Sequence, residues 1–328
     1  MKIIIFDLIL FAAGSLILYY GAEWLVKGAS SLARSAGLSP VVIGLTIVAF
    51  GTSAPEFVVS IVSSIQNKSM IAVGNVVGSN ICNIALVLGL TSVFRPLSCH
   101  RSVIRRDIPI MLGISLYLLL ISFDSKLSRF DGATLFCGII IYSFFNYYTA
   151  VKESKNISGL NSITSESAAN QMDYISGPGR IIRIVAGIAG VVIGAEIVVN
   201  SAISIMHTFG ISEKFIGLTV VAFGTSLPEL ATSVVAAIKK EMDISIGNLV
   251  GSNVFNILSV LGAASLIRPI QIPGGFIGSG LLIDYLAMIL ISFLPWLFMK
   301  KTFSISRKDG IILLSCYAGY LVYLSVKL

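Results

Sequence analysis

The stretch VAFGTSAPEF, residues 48–57, sets a proline and a glutamate inside an otherwise apolar run, and VAFGTSLPEL does the same again at 221–230. Proline removes a backbone donor and crowds the carbonyl four residues earlier, at Gly51 in the first copy and Gly224 in the second. Each copy therefore reads as a helix broken in its middle. The glutamates, Glu56 and Glu229, stand where an ionised side chain costs about 2.5–3.5 kcal/mol by insertion-scale values. No Lys or Arg lies at comparable depth to offset that cost, so the carboxylates call for another positive partner.

The runs around these stretches belong in a bilayer. The chain is 55% hydrophobic and 12% charged, with a mean hydropathy of +0.92, whereas soluble domains carry roughly 25% charged residues. Apolar runs of membrane-crossing length, about 20 residues, recur at 4–25, 40–65, 70–94, 108–124, 131–150, 180–204, 213–238, 244–267, 276–299 and 309–326. The fold class is an all-α integral membrane protein with ten transmembrane helices, a multi-pass protein of the cell (inner) membrane. Lys2 before an apolar run resembles a secretory signal. Asp7 interrupts that run, however, and its continuation GAEWLV (21–26) matches GAEIVV (194–199), so the first span reads as structural.

The net charge of +7 sets topology rather than marking a nucleic-acid surface. With the N-terminus outside, 16 of the 23 Lys and Arg residues fall on the cytoplasmic side, among them Lys27, Arg34, Arg105, Arg106, Lys239, Lys240, Lys300 and Lys301. Both termini are then expected outside. Cys82, Cys99, Cys137 and Cys316 lack metal-type spacing and read as free thiols. His100 and His207 fall near span ends without ligand partners at helical spacing and read as structural.

Sliding the chain against itself by 173 residues aligns 21–92 with 194–265 without a gap, and 36 of the 72 positions are identical. Each unit holds five spans, an odd number, so the second enters the membrane from the opposite side. The expected organisation is an inverted repeat: a first five-helix repeat over 1–150, a polar cytoplasmic linker over 151–179, and a second repeat over 180–328. Such repeats place substrate near the midplane, on helices interrupted at matching positions.

Around each break the sequence gathers oxygens: Thr52, Ser53 and Glu56 in one half, Thr225, Ser226 and Glu229 in the other. Hard cations take oxygen ligands, about six to eight for Ca²⁺. A second motif follows each break, GNVVGSNICNI (74–84) and GNLVGSNVFNI (247–257). It spaces Asn75, Ser79 and Asn83, and their counterparts Asn248, Ser252 and Asn256, four apart on one helix face.

These paired motifs resemble the two alpha-repeats of the calcium/cation antiporter superfamily, most closely its prokaryotic sodium/calcium exchangers, and the likeness runs over nearly the whole chain. The resemblance implies a diamond of cation sites around Glu56 and Glu229. Thr52, Ser53, Ser79, Thr225, Ser226 and Ser252 would supply hydroxyl or backbone oxygens, Ala49 and Ala222 carbonyls for sodium, and Asn83 and Asn256 the middle of the diamond. Many relatives carry aspartate at the position of Asn256, so this site has two carboxylates rather than three. Proton-coupled members place an acid shortly after Gly-Asn, where this chain has Val76, Val77, Leu249 and Val250.

The expected function is sodium/calcium antiport, with calcium and sodium ions and the bilayer as partners, no cofactor, no nucleic acid, no enzymatic activity, and a monomer as the working unit. A proton- or potassium-coupled exchanger is the alternative within the class. A passive cation channel would conduct calcium without any counter-ion gradient. An organic-solute symporter would need recognition groups that do not stand out, and an intramembrane enzyme would need a Ser/His pair or paired aspartates at depth.

Overall fold

The computed structural model describes residues 2–66, 68–160, 177–209 and 222–327. Helices α1 (Lys2–Ser35) and α7 (Gly177–Thr208) run antiparallel with their backbones in contact. Glycines make this possible. A Cβ added at Gly21 would lie 2.6 Å from the Val191 nitrogen, and one at Gly187 would lie 2.5 Å from the Leu25 nitrogen. Without a hydrophobic drive between helices in lipid, such close approach supplies the packing that holds them together.

The first broken run is α2 (Pro40–Thr52) followed by α3 (Ala54–Ile65), bent by 48° at the break. Its counterpart is a short turn, Ala222–Gly224, and then α8 (Leu227–Ile238). The helices that carry the Gly-Asn motifs, α4 (Met70–Phe94) and α9 (Met242–Ile267), form the centre: 72% and 78% of their most apolar stretches are buried, against 11–33% for the other long helices. Outside them stand α5 (Ile108–Ile121), α6 (Arg129–Leu160), α10 (Leu281–Thr302) and α11 (Arg307–Lys327). Their outer faces expose large apolar side chains such as Ile141, Phe144, Leu290 and Val322, as a lipid-facing surface requires.

Among the described residues four stretches are π-helical: Gly44–Val48, Cys82–Leu88, Val103–Asp107 and Asn256–Leu261. The second and fourth occupy corresponding places in α4 and α9. A π-turn adds a residue to the turn and re-aims the side chains around it.

Seven helices among the described residues are long and apolar enough to cross a membrane, and eight if the bent α2–α3 pair is one span. The expected spans at 4–25, 40–65, 70–94, 131–150, 180–204, 244–267, 276–299 and 309–326 fall on these. The span expected at 108–124 is α5, 14 residues that continue without a break from the π-turn Val103–Asp107, whose Arg105, Arg106 and Asp107 end the apolar stretch on that side. Of the span expected at 213–238, the later part is α8 and residues 213–221 lie outside the described residues. The polar segment placed at 151–179 is helical at both ends: α6 runs on through Leu160, since Lys and Glu extend a helix readily, and α7 starts at Gly177. Its middle, 161–176, lies outside the described residues.

Two small sheets among the described residues stitch early to late parts of the chain. Strand β1 (Leu97–Ser98) pairs antiparallel with β4 (Ser304–Ile305), and β2 (Lys126–Leu127) with β3 (Ile270–Gln271). Beside them, α6 and α11 begin with the same reciprocal cap. The Ser128 N–H donates to Asp131 Oδ2 (2.8 Å) and the Asp131 N–H to Ser128 Oγ (3.2 Å); Ser306 and Asp309 repeat this at 2.8 and 3.3 Å. The turn after each cap sets a glycine on a glycine, Gly132 against Gly262 and Gly310 against Gly89.

Candidate cation site

The helix geometry lapses at the same place in both copies: Ser53 has φ −84° and ψ 9°, and Ser226 has φ −89° and ψ 4°. The helix restarts with Pro55 or Pro228 in its first turn, where a missing N–H costs nothing. Glu56 and Glu229 lie in those first turns, so each carboxylate faces the positive end of a helix dipole. That lowers the cost of burying a negative charge in a membrane interior.

The first break reaches the second half directly. A Cβ at Gly251 would lie 2.6 Å from the Leu45 carbonyl oxygen, and one at Gly44 would lie 2.8 Å from that of Ile244, so α2 and α9 touch backbone to backbone. This contact brings Thr52 Oγ1 to Asn248 Oδ1 (3.1 Å), to which it donates, and within 3.5 Å of Ser252 Oγ. Ser53 Oγ donates to Glu229 Oε1 (3.0 Å), and Ser252 Oγ donates to the same oxygen (3.4 Å).

Beneath the carboxylates, α4 and α9 exchange a reciprocal set of amide bonds. Asn80 Nδ2 donates to the Asn253 carbonyl (3.1 Å), and Asn253 Nδ2 donates to the Asn80 carbonyl (3.2 Å). Asn83 Nδ2 donates to Asn253 Oδ1, and Asn256 Nδ2 to Asn80 Oδ1, both at 3.1 Å. With their donors committed, Asn83 and Asn256 each turn Oδ1 the other way.

The result is a set of buried oxygens without any hydrogen-bond partner: Glu56 Oε1 and Oε2, Glu229 Oε2, Asn83 Oδ1, Asn256 Oδ1 and Ser226 Oγ. Buried polar atoms are nearly always paired, and with the carboxylates ionised all but Ser226 can only accept. A hard cation satisfies such a set; another protein group does not. No group of three His, Cys, Asp or Glu exists among the described residues, so the donor set is two carboxylates with neutral oxygens.

Most residues expected at the site are buried around these oxygens: Ala49, Thr52, Ser53, Glu56, Ser79, Asn83, Ser226, Glu229, Ser252 and Asn256. Thr225 is only partly buried and lines a cleft between α3 and α7. Ala222 opens the short turn before α8. The Ala49 carbonyl is not left free by the break, because it accepts the Ser53 N–H at 3.0 Å and lies within 3.4 Å of Thr52 Oγ1. In the second copy the Ser226 N–H reaches Phe223 instead, at 3.1 Å, a tighter turn.

Asn75 and Asn248, expected on the ligand face, position the breaks. Asn75 Nδ2 donates to the Glu56 carbonyl (3.2 Å) and Ser60 Oγ (2.9 Å), and Asn248 Nδ2 donates to Ser233 Oγ (3.2 Å). Sequence reasoning passed over Ser60, Ser233, Asn80 and Asn253. Their identity at the 173-residue offset was the available signal.

The profile of the family described as "Sodium/calcium exchanger protein" matches residues 6–148 and 180–326. The chain belongs to that family. It is 36% identical over 310 residues to the putative antiporter CaxA of Alkalimonas amylolytica, covering 94% of this chain and 95% of that one. It is 33% identical over 340 residues to the sodium/calcium exchanger MaX1 of Methanosarcina acetivorans, covering 95% and 96%. Among solved structures, the sodium-calcium exchanger NCX_Mj superposes with a TM-score of 0.82 at 32% identity, covering 97% of this chain and 98% of that one. These relatives are antiporters and exchangers, not enzymes.

Proposed function

We propose that this chain is a sodium/calcium antiporter that works by alternating access, with Glu56 and Glu229 as the charged ligands of the transported ions. The carrying observation is the cluster of buried, unpartnered acceptor oxygens supplied by both halves of one chain. Ser53, Thr52, Ser79, Ser226, Ser252, Thr225, Asn83 and Asn256 complete the cage, with the Ala49 and Ala222 carbonyls available to sodium.

Charge explains the coupling. Two ionised glutamates carry −2, which one Ca²⁺ cancels and several Na⁺ cancel or exceed. The loaded site can cross between access states, whereas an empty −2 site facing hydrocarbon is costly. Sodium and calcium compete because they need the same carboxylates, so an inward sodium gradient drives calcium out. Sodium is favoured over protons because Val76, Val77, Leu249 and Val250 leave no acid after either Gly-Asn.

The reading includes ten membrane spans as two five-helix halves of opposite orientation, with both termini outside and the 151–179 segment in the cytoplasm, as the distribution of Lys and Arg favours. A monomer suffices, since one chain holds every ligand.

The test is radioactive calcium uptake by proteoliposomes loaded with sodium and diluted into sodium-free buffer, beside vesicles loaded with potassium or carrying only a pH gradient. Uptake is expected only with internal sodium. Uptake driven by the pH gradient alone would replace sodium with protons, and uptake without either gradient would make the protein a channel.

A further inference from the structure

We propose that Glu196 is a cation-recruiting carboxylate at the mouth of the route into the site, drawing hydrated sodium and calcium toward Thr225; this rests on the transport reading above. Glu196 lies on α7 eight residues inside the outer end of the span expected at 180–204, roughly 12 Å at 1.5 Å per residue. It is exposed, and it has no ion pair or hydrogen bond among the described residues. An unpaired carboxylate within a span is costly against lipid, and such residues face water-filled cavities.

A cavity of about 390 Å³ is there to receive it. Glu196 and Asn200 line it from α7, Pro55 and Val58 from the first break, and Gly224 and Thr225 from the second. It therefore joins an exposed carboxylate to both breaks at once.

The corresponding face on the other side is sealed. Glu23 stands 173 residues before Glu196, and it pairs with Lys239 (2.6 Å) and Lys27 (2.9 Å). On that side Val26, Thr52, Pro228 and Thr232 are buried, whereas their counterparts Val199, Thr225, Pro55 and Val59 are partly or fully exposed; Ala22 and its counterpart Ala195 are both buried. Lys27 itself is replaced by Asn200. One side holds a neutralised glutamate in a closed seam, and the other holds a bare glutamate in an open cleft. Fields in low-dielectric clefts of one sign concentrate counter-ions, so the open side selects for cations before they meet Glu56 and Glu229.

Two measurements on the full chain in proteoliposomes test this. In sodium-driven calcium uptake, Glu196→Gln is expected to raise half-saturating calcium about threefold to tenfold while the maximal rate falls much less, and Glu196→Asp to restore most of the affinity. The thiol introduced by Asn200→Cys is expected to react with a membrane-impermeant cationic thiol reagent, and calcium is expected to slow that reaction. An unchanged half-saturation in Glu196→Gln, or no reaction at position 200 because lipid fills the cleft, overturns the proposal. If the unaltered protein shows no sodium-driven uptake, the exchange reading fails instead, and labelling at position 200 with its calcium protection still decides the cleft.

Discussion

Replacing Asn80 with alanine isolates what the amide network does. Two bonds vanish: the one from Asn80 Nδ2 to the Asn253 carbonyl (3.1 Å) and the one Asn80 Oδ1 accepts from Asn256 Nδ2 (3.1 Å). Side-chain hydrogen bonds between membrane helices average about 0.6 kcal/mol and reach about 1.7. Leaving the Asn256 donor buried without an acceptor raises the cost, and a loss of about 1–3 kcal/mol in stability follows. The second effect is on the ion. Released from Asn80, the Asn256 amide rotates and offers its NH₂ where Oδ1 stood, so an attraction for a cation becomes a repulsion. A loss of about 1 kcal/mol there is about fivefold in calcium affinity. Calorimetric calcium titration and thermal unfolding of the purified protein read the two effects separately. Asn253→Ala should act likewise on Asn83, whose Nδ2 it holds at 3.1 Å. If Asn80→Ala lowers stability but binds calcium as tightly as the unaltered protein, Asn80 does not set the direction of Asn256 and the reasoning fails.

Glu56→Gln and Glu229→Gln should each abolish exchange while the protein still inserts, as checked by membrane yield beside calcium uptake; sodium-driven flux in both variants would exclude the carboxylates as ligands. Asn256→Asp adds a third carboxylate beside the unpartnered oxygens, so half-saturating calcium should fall in sodium-driven uptake, and an unchanged value would show that position 256 does not face the ion. Gly251→Ala forces a methyl to within 2.6 Å of the Leu45 carbonyl oxygen, and overpacking of this kind costs about 1–3 kcal/mol. Exchange should fall with it, because the same contact delivers Thr52 to Asn248; full activity at unchanged unfolding temperature would show that α2 and α9 can part freely.

The residues that carry charge were legible in the sequence, because Glu56 and Glu229 violate the apolar pattern and each violation repeats at one offset. Asn83 and Asn256 were legible for the same reason. Asn80 and Asn253 were not, since they follow the serines by one residue and fall off the four-residue spacing of a regular helix face. What brings them in is contact across the α4–α9 interface, and the π-turns that follow shift the register by an amount no fixed period describes. Span lengths were only partly legible. Hydropathy ends α1 near residue 25, but its backbone continues to Ser35 through a polar stretch that Glu241 meets from Arg34 (3.3 Å) and Ser30. The two-residue strands carry no pattern long enough to read.

Those strands change what the two halves are. Strand β1 of the first half is completed by β4 of the second, β2 by β3, and the capped starts of α6 and α11 each land on a glycine of the opposite half. Every clasp is thus shared, with one hook on each side, and neither half alone has a finished rim. A translation product severed within 161–176 would keep all of these clasps, so two separately made pieces should find one another in the membrane and reconstitute the transporter. The covalent connection contributes an equal supply of both pieces, and the interlacing does the joining.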